Sequence, residues 1–163
     1  MLVSGSFTEA VVAIHILGVV VAFGVTFTYP LLTIAGNREK RAMPTLHRYQ
    51  LAVSRMIVNP GLFVILVAGI VLASKEHQWK AFYVQWGLAA VVVLGAGEGA
   101  LIAPRGKRLI ALAERDVAAA GTGEVAWSDE YNALFRQTGL IGAGLDLIVV
   151  VTVFLMALHV GRS

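Results

Sequence analysis

Cysteine is missing from this chain of 163 residues, which excludes disulfides, thiolate metal sites and cysteine nucleophiles. Charge is scarce as well. Asp, Glu, Lys and Arg make up 14% of the residues and hydrophobic types 58%, where a soluble domain carries about a quarter charged residues. With a mean hydropathy of +0.77, this is more apolar surface than one soluble core can hold, so lipid is the solvent it fits. Missing too are a phosphate-cradling glycine loop after a strand, an HExxH zinc pair and a nucleophile elbow. Gly95-Ala-Gly-Glu-Gly99 lies inside an apolar run, so it reads as a packing surface rather than a nucleotide loop. No constellation has catalytic spacing, which leans away from an enzyme. No Lys or Arg precedes the first apolar run, so the first helix reads as retained rather than as a cleaved leader.

What is present is hydrophobic length. A membrane crossing takes about 20 mostly apolar residues, and four segments qualify, near 9–35, 58–74, 81–103 and 138–160. They predict an all-α fold, a four-transmembrane-helix bundle in a single integral membrane domain, 1–163, with short cytoplasmic amphipathic helices. Ser6-Phe-Thr-Glu9 fits a capping box opening the first span, Gly36-Asn37 would close it, and Tyr29-Pro30 would kink it. Leu46, Tyr49, Val53 and Met56 recur at helical spacing ahead of Asn59-Pro60 and predict an amphipathic lead-in helix, on which His47 reads as solvated. A surface helix is expected from Arg105 to Ala120, ended by Gly121-Thr-Gly123, and Ser128-Asp-Glu130 looks like the next helix start. The halves share a rough pattern of a span, a proline and a basic cluster.

Orientation follows from the basic residues. Arg38, Lys40, Arg41, Arg48 and Arg55 fall in the first long connection, and Arg105, Lys107, Arg108, Arg115 and Arg136 in the second. The other side has Lys75, Lys80 and Arg162. Because translocating Lys and Arg is disfavoured, both connections belong in the cytoplasm, with the N- and C-termini outside. Trp79, Tyr83 and Trp86 suit the outer interface. The pI near 9.5 then reflects topology, and the expected partner is the lipid bilayer, with no nucleic acid.

An ionisable side chain inside a span costs roughly 2.5–3.5 kcal/mol on insertion scales, so His15, Glu98 and Asp146 each need a reason. Glu98 and Asp146 sit at similar depth, with Tyr29, Arg55 and Asn59 near the same inner level. They form either a polar pocket that relays protons or binds a cation or basic head group, or interhelical glue in which a carboxylate pairs with Arg55 or Arg105. Gly95, Gly97 and Gly99 around Glu98, and Gly142 and Gly144 before Asp146, would let the third and fourth helices approach closely. Toward the outer end, His15 and His159 are candidate cofactor ligands, as a bis-histidine haem b between the first and fourth spans. Met156, three residues before His159, would suit copper as a soft ligand. No metal set of dedicated spacing is present.

His15-Ile-Leu-Gly18, Gly24, Thr28-Tyr29-Pro30, the Arg-rich loop, Asn59-Pro60-Gly61, Gly69, Trp79, Trp86 and Pro104 resemble small bacterial predicted integral membrane proteins known only as a domain of unknown function. That family is distantly similar to the copper-resistance D and HemJ-type four-helix membrane proteins. The resemblance implies a bacterial cytoplasmic (inner) membrane location and, by the HemJ-type precedent, a haem-ligand role for His15. The expected function is a non-catalytic integral membrane protein: an accessory subunit of a larger membrane complex, a self-associating protein, or a binder of lipid or a small ligand. Two alternatives are a haem-binding or electron-transfer protein using His15 and a proton- or cation-coupled carrier using Glu98 and Asp146.

Overall fold

Proline lacks an amide proton and its ring collides with the carbonyl four residues earlier, so the prolines dictate where these helices deviate. The chain has four. Each stands in the first two positions of a helix: Pro30 in α2 (Tyr29–Arg38), Pro44 in α3 (Met43–Val53), Pro60 in α4 (Asn59–Lys75) and Pro104 in α6 (Ala103–Ala119). Ahead of Pro30, Pro60 and Pro104 the helix changes pitch over the turn that holds the colliding carbonyl. That turn is 3₁₀ at Thr26–Thr28, with Thr26, and π at Ser54–Val58 and Gly97–Ile102, with Met56 and Ala100. The change of pitch absorbs the lost hydrogen bond without ending the helix.

The structure, a computed structural model, describes residues 2–159, with side chains from Phe7 onward. It is all-helical, with no strand among the described residues. Four long rods result. The first joins α1 (Leu2–Gly24) to α2, the second α3 to α4, the third α5 (Phe82–Ala96) to α6, and the fourth is α7 (Asp129–Ala157). All four are long and apolar enough to cross a membrane. Consecutive rods pack antiparallel, α1 on α4, α4 on α5, α3 on α6 and α5 on α7, whereas the first and fourth rods have no extensive packed face between them.

Small residues set the tightest crossing. Gly18 faces Ile65 and Gly61 faces Ala22, where an added Cβ at Gly61 would lie 2.5 Å from the Ala22 Cβ. Ala22 is fully buried in a core with Phe23, Val53, Val58, Leu62, Ile65, Leu94 and Val149. Outside this core the rods are apolar and bare: Leu17, Leu31, Phe63, Val92, Leu140 and Phe154 are each more than 60% exposed. One end of the bundle, the turn end, gathers Phe7 under the Lys75 ammonium and Tyr83 against His159. The loop end holds a second core of Met43, Leu109, Leu112, Ala113 and Tyr131.

Several expectations need correcting. The lead-in helix and the second span are one continuous rod, as are the third span and the helix after Pro104, because a π turn precedes each proline. Helix α1 already runs from Leu2, so no helix opens at Ser6; the Ser6 hydroxyl itself, Val160 and Arg162 lie outside the described residues. Gly36 does not close the first rod. It is buried where an added Cβ would meet Leu46 and Met43, and the helix ends at Glu39 instead. Helix α7 does open at Ser128, whose hydroxyl accepts from the Tyr131 amide at 3.3 Å.

Candidate functional site: a cavity between the rods

Where the first and fourth rods fail to pack, a cavity of about 490 Å³ remains, lined by all four rods. Its wall is mostly apolar, with Phe23, Val58, Leu62, Leu94, Leu145 and Val149 among the lining residues. Three irregular turns open onto it, contributing Thr26, Ser54 and Glu98, and α7 contributes Asp146. The Ser54 hydroxyl donates to Glu98 Oε1 and so ties the two π turns together. The Thr26 hydroxyl has one proton and two acceptors, the Phe23 carbonyl at 2.9 Å and Asp146 Oδ1 at 3.0 Å. The latter bond bridges the unpacked rods. Gly97 faces Leu145 across the third and fourth rods, so in that antiparallel register Glu98 and Asp146 differ in level by only ~3 Å at ~1.5 Å rise per residue.

Neither carboxylate has an ion-pair partner among the described residues. Glu98 Oε2 and Asp146 Oδ2 have no protein hydrogen-bond partner there. No Lys or Arg lines the cavity. Tyr29 belongs to the same wall, its hydroxyl donating to the Gln50 carbonyl at 3.4 Å. Arg55 and Asn59 are placed elsewhere. Both are exposed on the outside of the second rod, each next to a buried residue, Ser54 or Val58, that takes the inward face. The structure thus brings Glu98, Asp146 and Tyr29 together and leaves Arg55 and Asn59 out. The arginine pairing considered for the acids is not present; hydroxyls occupy those places. Of the surrounding glycines only Gly97 serves close packing, since an added Cβ at Gly95, Gly99, Gly142 or Gly144 meets nothing within 4 Å.

Thr26 and Ser54 were not singled out from sequence. Both had a signal: Thr26 stands four residues before Pro30, and Ser54 and Glu98 each stand six before Pro60 and Pro104.

Toward the loop end the cavity is lined by His47 and Phe135. His47 is not solvated but 6% exposed, because α3 packs on α6 and turns that face inward. Its Nε2 accepts from the Tyr131 hydroxyl at 2.9 Å and its Nδ1 donates to Gln50 Oε1 at 3.3 Å. Burial holds its pKa below 6.5, the Gln50 bond opposing this in part. Tyr131 stacks between Trp127 and Phe135. Beside it, burial would raise the Asp116 pKa, but the Ser128 amide and hydroxyl and the Arg115 guanidinium outweigh burial and hold it below the usual carboxylate value. Lys40 and Arg41 reach over to the loop carbonyls of Val125, Gly121 and Gly123. The two long connections therefore form one ordered layer closing the loop end.

The histidines considered as cofactor ligands are separate. His15 Nδ1 donates to the Ile65 carbonyl at 3.1 Å and its ring rests on Gly69, at the crossing of α1 and α4. His159 ends the fourth rod against Tyr83. Ile65 and Gly69 lie ten and six residues short of Lys75, so His15 sits ~9–15 Å deeper than His159 at ~1.5 Å per residue, on another interface. A haem held by this pair does not fit that arrangement. His15 is also absent from the residues lining the cavity, and no group of three or more His, Asp or Glu side chains converges as a metal set among the described residues.

Fold and site together define an all-α four-rod bundle with an internal cavity that carries two acids. No known protein family, curated protein or solved structure matches the chain.

Proposed function

We propose that this chain crosses a lipid bilayer four times and binds an amphiphilic small ligand in the cavity between its rods, without catalysing a reaction. The bare apolar belt supports the first part, since a soluble monomer rarely exposes so continuous an apolar surface. So do the dimensions. From Arg55 to Lys75, Phe82 to Arg105 and Arg136 to Ala157 the rods rise ~30–35 Å at ~1.5 Å per residue, matching a hydrocarbon core of about 30 Å. Arg55 and Arg136 are exposed at what becomes the inner interface, where long basic side chains reach the head groups. The loop end, with ten of the thirteen Lys and Arg, faces the cytoplasm.

The cavity carries the ligand-binding part. Its ~490 Å³ falls in the range of small-molecule sites, which are mainly apolar with a few placed polar groups. The first and fourth rods have no extensive packed face, and the gap between them would give an apolar tail a lateral route in from the bilayer. The acids lack the arrangement of nucleophile, base and oxyanion donors that a reaction needs.

The test uses the protein in zwitterionic lipid nanodiscs and dodecanol as an uncharged probe of the cavity. Gly142→Leu fills the cavity from a position where a Cβ meets nothing within 4 Å. Saturable dodecanol binding above that of empty discs, abolished by Gly142→Leu, is the expected result. Binding that Gly142→Leu leaves intact would place the ligand elsewhere.

A further inference from the structure

We infer that the ligand of this cavity is a single-chain amphiphile with a protonated amine head, seated between Glu98 and Asp146; the inference rests on the ligand-binding role proposed above. Charge sorting in the chain points to it. The chain has thirteen Lys and Arg against ten Asp and Glu, yet the cavity wall holds two acids and no Lys or Arg. Among the described residues the only other titratable groups facing it are His47 and Tyr29, and His47 is turned to Tyr131 and Gln50. Elsewhere Glu114, Asp116, Glu124 and Glu130 are all paired with Lys or Arg. Among the described residues Glu98 and Asp146 alone combine a position inside the bundle with neutral partners, one hydroxyl each, and one free oxygen each.

An ammonium group supplies what the two free oxygens lack. It has three donors and a positive charge on a compact centre, and charge-assisted hydrogen bonds are about twice as strong as neutral ones. An anionic head in the same place would face two carboxylates with no counter-charge. The apolar wall above the acids, from Phe23, Leu62, Leu94 and Val149, takes the tail.

Three probes with the same tail separate the possibilities: dodecylammonium, dodecanol and dodecyl sulfate, each measured at neutral pH on the protein in zwitterionic nanodiscs with empty discs subtracted. Dodecylammonium is expected to bind about tenfold or more tighter than dodecanol, the size of one charged hydrogen bond, with no saturable binding of dodecyl sulfate. In the variant carrying Glu98→Gln and Asp146→Asn the amine falls to within about twofold of dodecanol, while dodecanol binds as before. The single variants each give an intermediate preference, which decides the matter if the double variant does not fold. Equal binding of the amine and the alcohol, or an amine preference that survives the amide substitutions, would overturn the inference and leave the cavity reading standing. Failure of all three probes to bind saturably would remove both.

Discussion

Replacing Gly61 with alanine tests the packing on which the cavity depends. The new Cβ would stand 2.5 Å from the Ala22 Cβ and 3.4 Å from its Cα, whereas apolar carbons rest at about 3.5–4.0 Å. Ala22 is fully buried and has no rotamer to change, so α1 and α4 must separate by ~1 Å. Overpacking of this kind costs about 1–3 kcal/mol, and the better helix propensity of alanine offsets up to about 1 kcal/mol. A net loss of ~1–2 kcal/mol is expected. Ala22→Gly alone should cost about 1 kcal/mol through helix propensity. With both changes the Cβ simply moves from one helix to the other, and stability should return to within ~0.5 kcal/mol of the parent, so the two effects are not additive. Reversible unfolding in mixed micelles, followed by intrinsic tryptophan fluorescence, measures all four proteins. A Gly61→Ala protein as stable as the parent, or a double variant as weak as the summed singles, would refute the close approach of these helices.

The absence of cysteine makes topology directly readable: single cysteines placed at Arg41 and Gln78 should react with impermeant maleimide from opposite sides of sealed vesicles, Gln78 from outside. Acid should loosen the loop-end layer. His47 has a folded pKa depressed below 6.5, so its contribution is present above pH 6.5 and lost as pH falls, whereas Asp116, held below the usual carboxylate value, gives way only in stronger acid. Protection of the amides around Tyr131 against hydrogen exchange, relative to the intrinsic rate at each pH, should therefore fall as pH drops below 6.5, and His47→Gln should remove that first phase. Asp116→Ala leaves the Ser128 amide without its acceptor and should cost about 1–3 kcal/mol, read as faster proteolysis between Ala120 and Ser128.

How far the sequence reveals this architecture depends on which physical cost dominates at each place. The four long helices follow from apolar length alone. The Ser128 start of α7 follows from a local capping rule that tertiary contacts do not override. His47 escapes such reading, because periodicity marks it as polar and only the packing of α3 on α6 shows that its face is inward. Gly36 reads as a helix terminator by type, yet it is the absence of a side chain against Met43 and Leu46 that the fold uses. Arg55 and Asn59 share a level with Glu98 along the sequence, but facing depends on rotation about the helix axis. Ser54 and Val58, each one residue earlier, take the inward face and leave Arg55 and Asn59 outside.

The prolines connect these failures to the site. A proline inside an apolar rod takes the usual donor away from one carbonyl and forces a local change of pitch, and in hydrocarbon that carbonyl must find another donor. In the first rod the 3₁₀ turn does this through the backbone, the Thr26 carbonyl accepting from the Tyr29 amide, while Thr26, Thr28 and Arg105 add side-chain bonds to the neighbouring Phe23, Val25 and Leu101 carbonyls. The same turns carry Thr26, Ser54 and Glu98 onto the cavity wall. The polar lining of an otherwise apolar bundle therefore follows from where the chain breaks helical regularity. Removing Pro104 while keeping Glu98 should then restore an α-helical turn and move the carboxylate off the cavity wall, weakening amine binding without touching a residue that contacts the ligand.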